Sequence, residues 1–134
     1  MNECLLPTGA RIIALPGHHD ARGRLDAFDR DTLPFTPVRT FVISEVPPAA
    51  PRAGHAVSCD EFLWVPAGAC RLTLSDTTRS ATVLLDSRQR GVFVPAGIMM
   101  DLTDFAPHTL LIVIASKSFS ETERFIGPRP DRKA

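Results

Sequence analysis

The stretch Gly54 to Gly68, GHAVSCDEFLWVPAG, constrains what this chain can fold into more than any other. Its skeleton is His-x-Val-x3-Glu-x6-Gly. Side chains alternate between faces along an extended strand, so His55 and Val57 point the same way. Phe62 to Val65 is an apolar, strand-like run, and Pro66-Ala67-Gly68 supplies the turn that follows. A second stretch, Gly91-Val-Phe-Val-Pro-Ala-Gly-Ile-Met-Met100, reads as strand, turn and strand.

The remaining sequence repeats this rhythm. Strands are expected over 10–15, from 23 through Phe28, over 38–46, 71–75 and 80–85, and at 109–116. That last run, TLLIVIAS, is apolar enough to be buried on both faces or in a dimer seam. Asp76-Thr77-Thr78-Arg79 is the expected turn of a hairpin. Ser120 to Phe125 allows one helical turn, with Ser120 as N-cap and Glu123 completing a capping box. Twelve prolines suit short strands joined by turns rather than long helices. The expected fold is therefore all-β, a barrel or sandwich of about ten strands, in one domain over 1–126 with a polar, Pro-rich tail over 127–134 that is disordered or loosely packed.

Bulk properties exclude more than they assign. The chain has 134 residues, 44% of them hydrophobic, which suffices for one cored domain. Fifteen basic side chains balance fifteen acidic ones, so nothing draws the whole protein to nucleic acid or an anionic membrane. Arginine greatly outnumbers lysine, which fits local binding of phosphate or carboxylate and equally fits a compositional bias. No apolar run approaches about 18 residues, and the N-terminus lacks a secretory pattern. Cys4, Cys59 and Cys70 form no CxxC pair, which predicts reduced thiols and a cytoplasmic location. No basic neighbour in sequence marks Cys59 or Cys70 as a nucleophile.

The two opening stretches resemble the sequence motifs of the cupin superfamily: His-x-His, a few residues, Glu, six residues and Gly, followed later by Pro-x-Gly, two residues and His. The resemblance implies a cupin (RmlC-like) β-barrel or jelly roll. Glu61 and Gly68, and Gly97 and Met100, have the expected spacing. Val57 stands where the second histidine belongs and Met100 where the third does. A zinc or iron site wants about three or four N, O or S ligands, and His55 with Glu61 falls short. The expectation is no metal and no other cofactor.

A further set of segments resembles the WxcM-like cupins, the dTDP-sugar 3,4-ketoisomerases, from about Ile12 to Ile126. They are Asp20-Ala-Arg-Gly-Arg-Leu25, Leu33-Pro-Phe35, Val38-Arg-Thr-Phe-Val-Ile43, Pro51-Arg52, Leu85-Asp-Ser87, Asp104-Phe105, Ile114-Ala-Ser116 and Ser120-Glu-Thr-Glu123. The resemblance implies metal-independent isomerisation of a dTDP-4-keto-6-deoxyhexose to its 3-keto isomer, in deoxysugar synthesis for polysaccharides or glycosylated metabolites. It also implies a homodimer with exchanged N-terminal strands. His55 matches the first histidine of the family pair. Arg22, Arg39 and Arg52 match family arginines expected on the nucleotide sugar. Asp101 stands in place of a family acid beside Met100. Phe41 and Phe119 stand where tyrosines are usual.

Moving a ketone from C4 to C3 requires a base at C3, an enediol, and a proton returned at C4. Histidine suits the base, and arginine forks match a diphosphate. The candidate site is therefore His55, Glu61 and Asp101 for chemistry, with Arg22, Arg39, Phe41, Arg52, Val57 and Met100 around the substrate. Each has a plainer alternative: a hydrogen-bonded cavity histidine, a structural ion pair, or outward-facing arginines. His18, His19 and His108 are expected on the surface, Trp64 in the barrel core, and one of Met99 and Met100 in the cavity. Two other functions stay open: a catalytically degenerate cupin that binds a sugar nucleotide or a partner enzyme, and another cupin enzyme such as an epimerase or lyase.

Overall fold

A computed structural model describes residues 5–129. Twelve short strands, with a 3₁₀ turn at Phe119–Glu121, carry the architecture of the described residues. The strands are β1 (Arg11–Ala14), β2 (His18–Asp20), β3 (Gly23–Leu25), β4 (Arg39–Ile43), β5 (Arg52–Val57) and β6 (Glu61–Ala67). They continue with β7 (Cys70–Ser75), β8 (Ser80–Leu85), β9 (Arg90–Val94), β10 (Met99–Thr103), β11 (Leu110–Ala115) and β12 (Arg124–Phe125). Two five-stranded sheets face each other, in the orders β1-β9-β6-β11-β4 and β12-β5-β10-β7-β8, and β2 and β3 form a separate hairpin. Every pairing is antiparallel. This is the expected all-β cupin barrel.

Alternation decides which side chains enter the barrel. On β7, Cys70, Leu72 and Leu74 are buried while Arg71 is exposed. On β4, Arg39, Phe41 and Ile43 turn inward and Thr40 and Val42 outward. The inner core joins Leu63 and Val65 of β6 to Leu72 and Leu74 of β7, Val92 and Val94 of β9, and Leu111 and Val113 of β11. Burying such side chains contributes roughly 1.5–3 kcal/mol each.

A second core lies on the other face of the β6 sheet. There Phe62, Trp64 and Ile114 pack with Leu15 and Leu33, and Phe28 lays its ring against Phe62 and Trp64. The β11 run is thus apolar on both faces because each covers a core. Trp64 belongs to this second core and not to the barrel interior, and its Nε1 donates to the Arg88 carbonyl at 2.9 Å.

Several boundaries differ from the sequence expectation. The strand expected through Phe28 stops at Leu25, because Asp26 turns inward to meet Arg24 and Arg88. Burial pulls the Asp26 carboxyl upward, but hydrogen bonds from Arg88 and Arg24 outweigh it and hold it below its ordinary value. The 38–46 strand is shortened to Arg39–Ile43. In place of a helical turn capped by Ser120 there is a 3₁₀ turn at Phe119–Glu121, whose N-cap is Ser118, followed by β12. Ser118 Oγ donates to Glu121 Oε1 at 2.9 Å, so the reach-back falls two residues earlier than expected. The tail begins docked: Arg129 donates its backbone N–H to the Gly97 carbonyl and lies over the Phe125 ring. Cys4 and residues 130–134 lie outside the described residues. The N-terminal strand β1, expected to be exchanged in a dimer, here pairs with β9 of its own chain.

Candidate active site

Between the two sheets opens a cavity of about 740 Å³, within the range of small-molecule sites. Strands β4, β5, β6, β10 and β11 form its walls, and the segment from Phe119 to Arg124 forms its rim. Of the sequence candidates, His55, Glu61, Arg39, Arg52, Phe41, Val57 and Met100 line it. His55 and Met100 are register partners on β5 and β10, which explains why they meet.

Two candidates do not reach the cavity. Asp101 follows Met100 on β10, and the pleat sends the two to opposite faces. Its carboxylate lies on the far side of the sheet, beside Gly54. Arg22 sits at the tip of the β2–β3 hairpin with its side chain 86% exposed, and it folds back on Asp20 through a 2.8 Å ion pair. His18 and His19 lie exposed on the same hairpin and His108 in an exposed turn, as expected.

His55 is positioned by an irregularity. The β5–β10 register skips a residue at Gly54, and Ala53 and Gly54 both have positive φ, 65° and 78°. This bulge brings the ring back over its own strand, where Nδ1 stands 3.0 Å from the Ala53 carbonyl. A carbonyl only accepts, so Nδ1 is the donor, and of the two neutral tautomers this contact selects the one with its lone pair on Nε2. The imidazole is thereby held in the tautomer of a base.

Glu61 lines the same cavity from the other sheet, at the start of β6. It is 5% exposed. Burial raises its carboxyl from 4.5 to about 7, against the lowering pull of the Arg39 and Arg124 charges. Arg39 Nη2 is 4.0 Å from Glu61 Oε2, a loose ion pair. The Arg39 guanidinium also lies over the Phe41 and Phe119 rings, 5.1 and 5.6 Å from their centroids. Arg124 covers Phe119 in turn, at 5.6 Å. An alternating ladder of aromatic rings and cations, held by cation–π attraction, therefore runs from the β4 wall to the rim. Arg52, exposed at the start of β5, also lines the cavity.

The neighbouring thiols are inert. Burial and the Glu61 charge push Cys59 above its ordinary value, and burial pushes Cys70 up to about 11, so neither presents a thiolate at neutral pH. Among the described residues no three His, Cys, Asp or Glu side chains gather as a metal-ligand set. Also among the described residues, no helix is long and apolar enough to cross a membrane.

Sequence reasoning missed Arg124, Ser120 and Thr122 at the rim. Arg124 enters because β12, only two residues long, pairs with Val57 on β5. A two-residue strand has no period to read.

A family model described as "FdtA: WxcM-like, C-terminal" matches residues 8–127. The TDP-4-oxo-6-deoxy-alpha-D-glucose-3,4-oxoisomerase of Aneurinibacillus thermoaerophilus is 29% identical over 106 residues, 78% of this chain and 76% of that one. A 3,4-ketoisomerase from Helicobacter canadensis superposes with a TM-score of 0.81 at 25% identity, covering 86% of this chain and 88% of that one. The QdtA 3,4-ketoisomerase of Thermoanaerobacterium thermosaccharolyticum, solved as a double mutant with TDP, reaches a TM-score of 0.85 at 20% identity, over 91% and 90% of the two chains.

Proposed function

The chain belongs to the WxcM-like family, and from that premise we propose that it is a sugar-nucleotide 3,4-ketoisomerase. Its substrate in this reading is a dTDP-4-keto-6-deoxyhexose, whose ketone it moves to C3. The observation that carries the proposal is His55: an imidazole in the cavity wall, its Nδ1 tied to the Ala53 carbonyl, a contact that in the neutral ring leaves Nε2 as the base. Nε2 is the base that takes the C3 proton and, after exchange with solvent, delivers a proton to C4. Arg52 and Arg124 at the mouth suit the diphosphate, because guanidinium forks pair with phosphate oxygens. Arg39, deeper in the cavity, suits the developing enolate oxygen.

Val57 and Met100 contribute apolar wall at two positions where the resembled motifs carry histidine, so they shape the sugar pocket without carrying protons. Phe41 does the same from β4. No step of this chemistry calls on a metal. A nucleotide-sugar substrate places the work in the cytoplasm, where such sugars are activated. We also propose a homodimer, supported by the exposed Val38 and Val42 on and beside the edge strand β4.

The test is NMR in D2O. The purified protein is mixed with dTDP-4-keto-6-deoxyglucose, and deuterium is followed at C3 and C4. The expected result is a 3-keto product carrying deuterium at C4, and loss of both exchange and product in His55→Asn. Binding of dTDP with no exchange in the parent protein would overturn the isomerase reading and favour a cavity kept for binding alone. Sedimentation of the protein as a monomer at micromolar concentration would overturn the dimer.

A further inference from the structure

We propose that Glu61 is the second proton carrier of this site, serving the sugar's oxygens while His55 serves its carbons. The inference rests on the isomerase reading and deepens it. A 3,4-isomerisation moves protons on oxygen as well as on carbon, and a lone base leaves the oxygen transfers unassisted. The residues that usually carry a second proton are absent here: Val57, Met100 and Phe41 line the wall with nothing to donate. Arg39, Arg52 and Arg124 offer hydrogen-bond donors and no acceptor. Ser120 and Thr122 lie at the rim. Among the described lining residues deeper than the rim, this leaves His55 and Glu61 as the side chains whose chemistry lets them both take and give a proton.

The geometry suits the division of labour. β5 and β6 belong to opposite sheets, so His55 and Glu61 approach a bound sugar ring from two sides. Glu61 is buried, yet its contact with Arg39 at 4.0 Å is too long for a hydrogen bond. The carboxyl is thus neither locked into an ion pair nor exposed to bulk water. The groups that bear on it are Arg39 from β4, Arg124 from β12 and, more weakly, Cys59 from the turn before β6. The cations keep its ionised form within reach, and burial keeps its neutral form populated near pH 7.

The steps balance. Neutral His55 Nε2 takes the C3 proton, and the C3–H pair forms the C3–C4 double bond. The C4 carbonyl π pair moves to O4, which takes the proton of the Glu61 carboxylic acid, giving an enediol. The Glu61 carboxylate then takes the O3 proton, and the C3 carbonyl forms. The double-bond pair takes the proton of the His55 imidazolium at C4. Both side chains end as they began, and no oxidant or co-reactant is needed.

The experiment compares the parent protein with Glu61→Gln, Glu61→Asp and His55→Asn for turnover of dTDP-4-keto-6-deoxyglucose across pH, with dTDP affinity measured alongside. Glu61→Gln is expected to lower kcat by roughly 10²–10⁴-fold, the span of a lost general acid–base group, while KM and dTDP affinity stay within about threefold. The kcat limb near pH 7 should disappear with it, and Glu61→Asp should retain part of the activity. pH-difference infrared spectra supply a readout independent of turnover: a protonated-acid carbonyl band that titrates near pH 7 in the parent and is missing in Glu61→Gln. A kcat for Glu61→Gln within threefold of the parent, or an unchanged limb, overturns the inference while the isomerase reading stands. A parent protein that turns over no substrate overturns both.

Discussion

Arg39 and Glu61 meet across Ala115. On β11, Ala115 pairs with Glu61 of β6 on one side and with Arg39 of β4 on the other. Its methyl group, fully buried, leaves room for the two long side chains to converge over it, to 4.0 Å. The Arg39 Nε is buried without a hydrogen-bond partner. A buried donor left unpaired costs about 1–3 kcal/mol, and a bound oxygen atom would remove that cost.

The first prediction concerns that guanidinium. Arg39→Met is expected to lower kcat/KM by about 10–100-fold, corresponding to about 1.5–3 kcal/mol for a charge-assisted hydrogen bond. It should also push the Glu61 carboxyl further up, since Arg39 is one of the charges lowering it. Arg39→Lys should recover little, because a flexible ammonium cannot lie flat between the Phe41 and Phe119 rings. Steady-state kinetics on the three proteins checks this, and a Lys variant at parental kcat/KM would sink it.

A second prediction follows from linkage at Glu61. Its carboxyl is raised in the folded protein, from 4.5 to about 7. Below pH 4.5 both folded and unfolded chains hold the proton and the group costs nothing. As pH rises from there to 7 the unfolded chain ionises first, so folding stability falls by up to about 3 kcal/mol and then levels off. Glu61→Gln cannot ionise. Urea titrations at pH 5 and pH 8 should show the parent losing more stability than the variant over that interval, and parallel losses would refute the assignment.

Most of the barrel was legible because one face of each strand is buried and the period of two is strong. β8 runs from Ser80 to Leu85 as read, and β7 to β8 turn at Asp76–Arg79, where the Asp76 carboxylate accepts from the Thr78 and Arg79 backbones. Arg39 and Phe41 could be placed inward for the same reason. Asp101 failed because a motif position carries no face; the pleat beside Met100 would have placed it outside. Arg22 failed because its partner is local: Asp20, two residues away, satisfies it at the hairpin tip. The tautomer of His55 was not legible at all, since it depends on a bulge at Gly54 visible only in the register.

The third prediction explains a glycine of the leading stretch. Gly68 follows β6 with φ +88°, a conformation that side chains rarely adopt. A Cβ there would meet Thr109, with its Cα 2.6 Å away. Thr109 is itself committed, since its hydroxyl accepts from the Ala69 N–H and bonds the Ala69 and Ala106 carbonyls. Gly68→Ala should therefore destabilise by about 2–4 kcal/mol, through backbone strain and displacement of the β11 entry. Thermal unfolding checks it. A variant within 0.5 kcal/mol of the parent, the range of ordinary surface substitutions, would contradict it.

The last prediction separates the rim from the core. Phe119 is 66% exposed, so burial does not explain a large aromatic there. Its ring stands between the Arg39 and Arg124 guanidiniums, and removing it frees both cations to change rotamer. Exposed cation–π contacts are worth about 0.5–1 kcal/mol each. Phe119→Ala should accordingly leave the unfolding midpoint unchanged while raising KM by about 5–20-fold, with a smaller effect on kcat. Phe119→Tyr should behave like the parent, since the ring is kept. Phe119→Leu should behave like the alanine variant, since leucine supplies apolar area without a π face. Kinetics on the three variants distinguishes the two contributions: equal KM values for Leu and the parent would show that the ring acts through bulk alone, and the ladder of rings and cations would then have no part in holding the substrate.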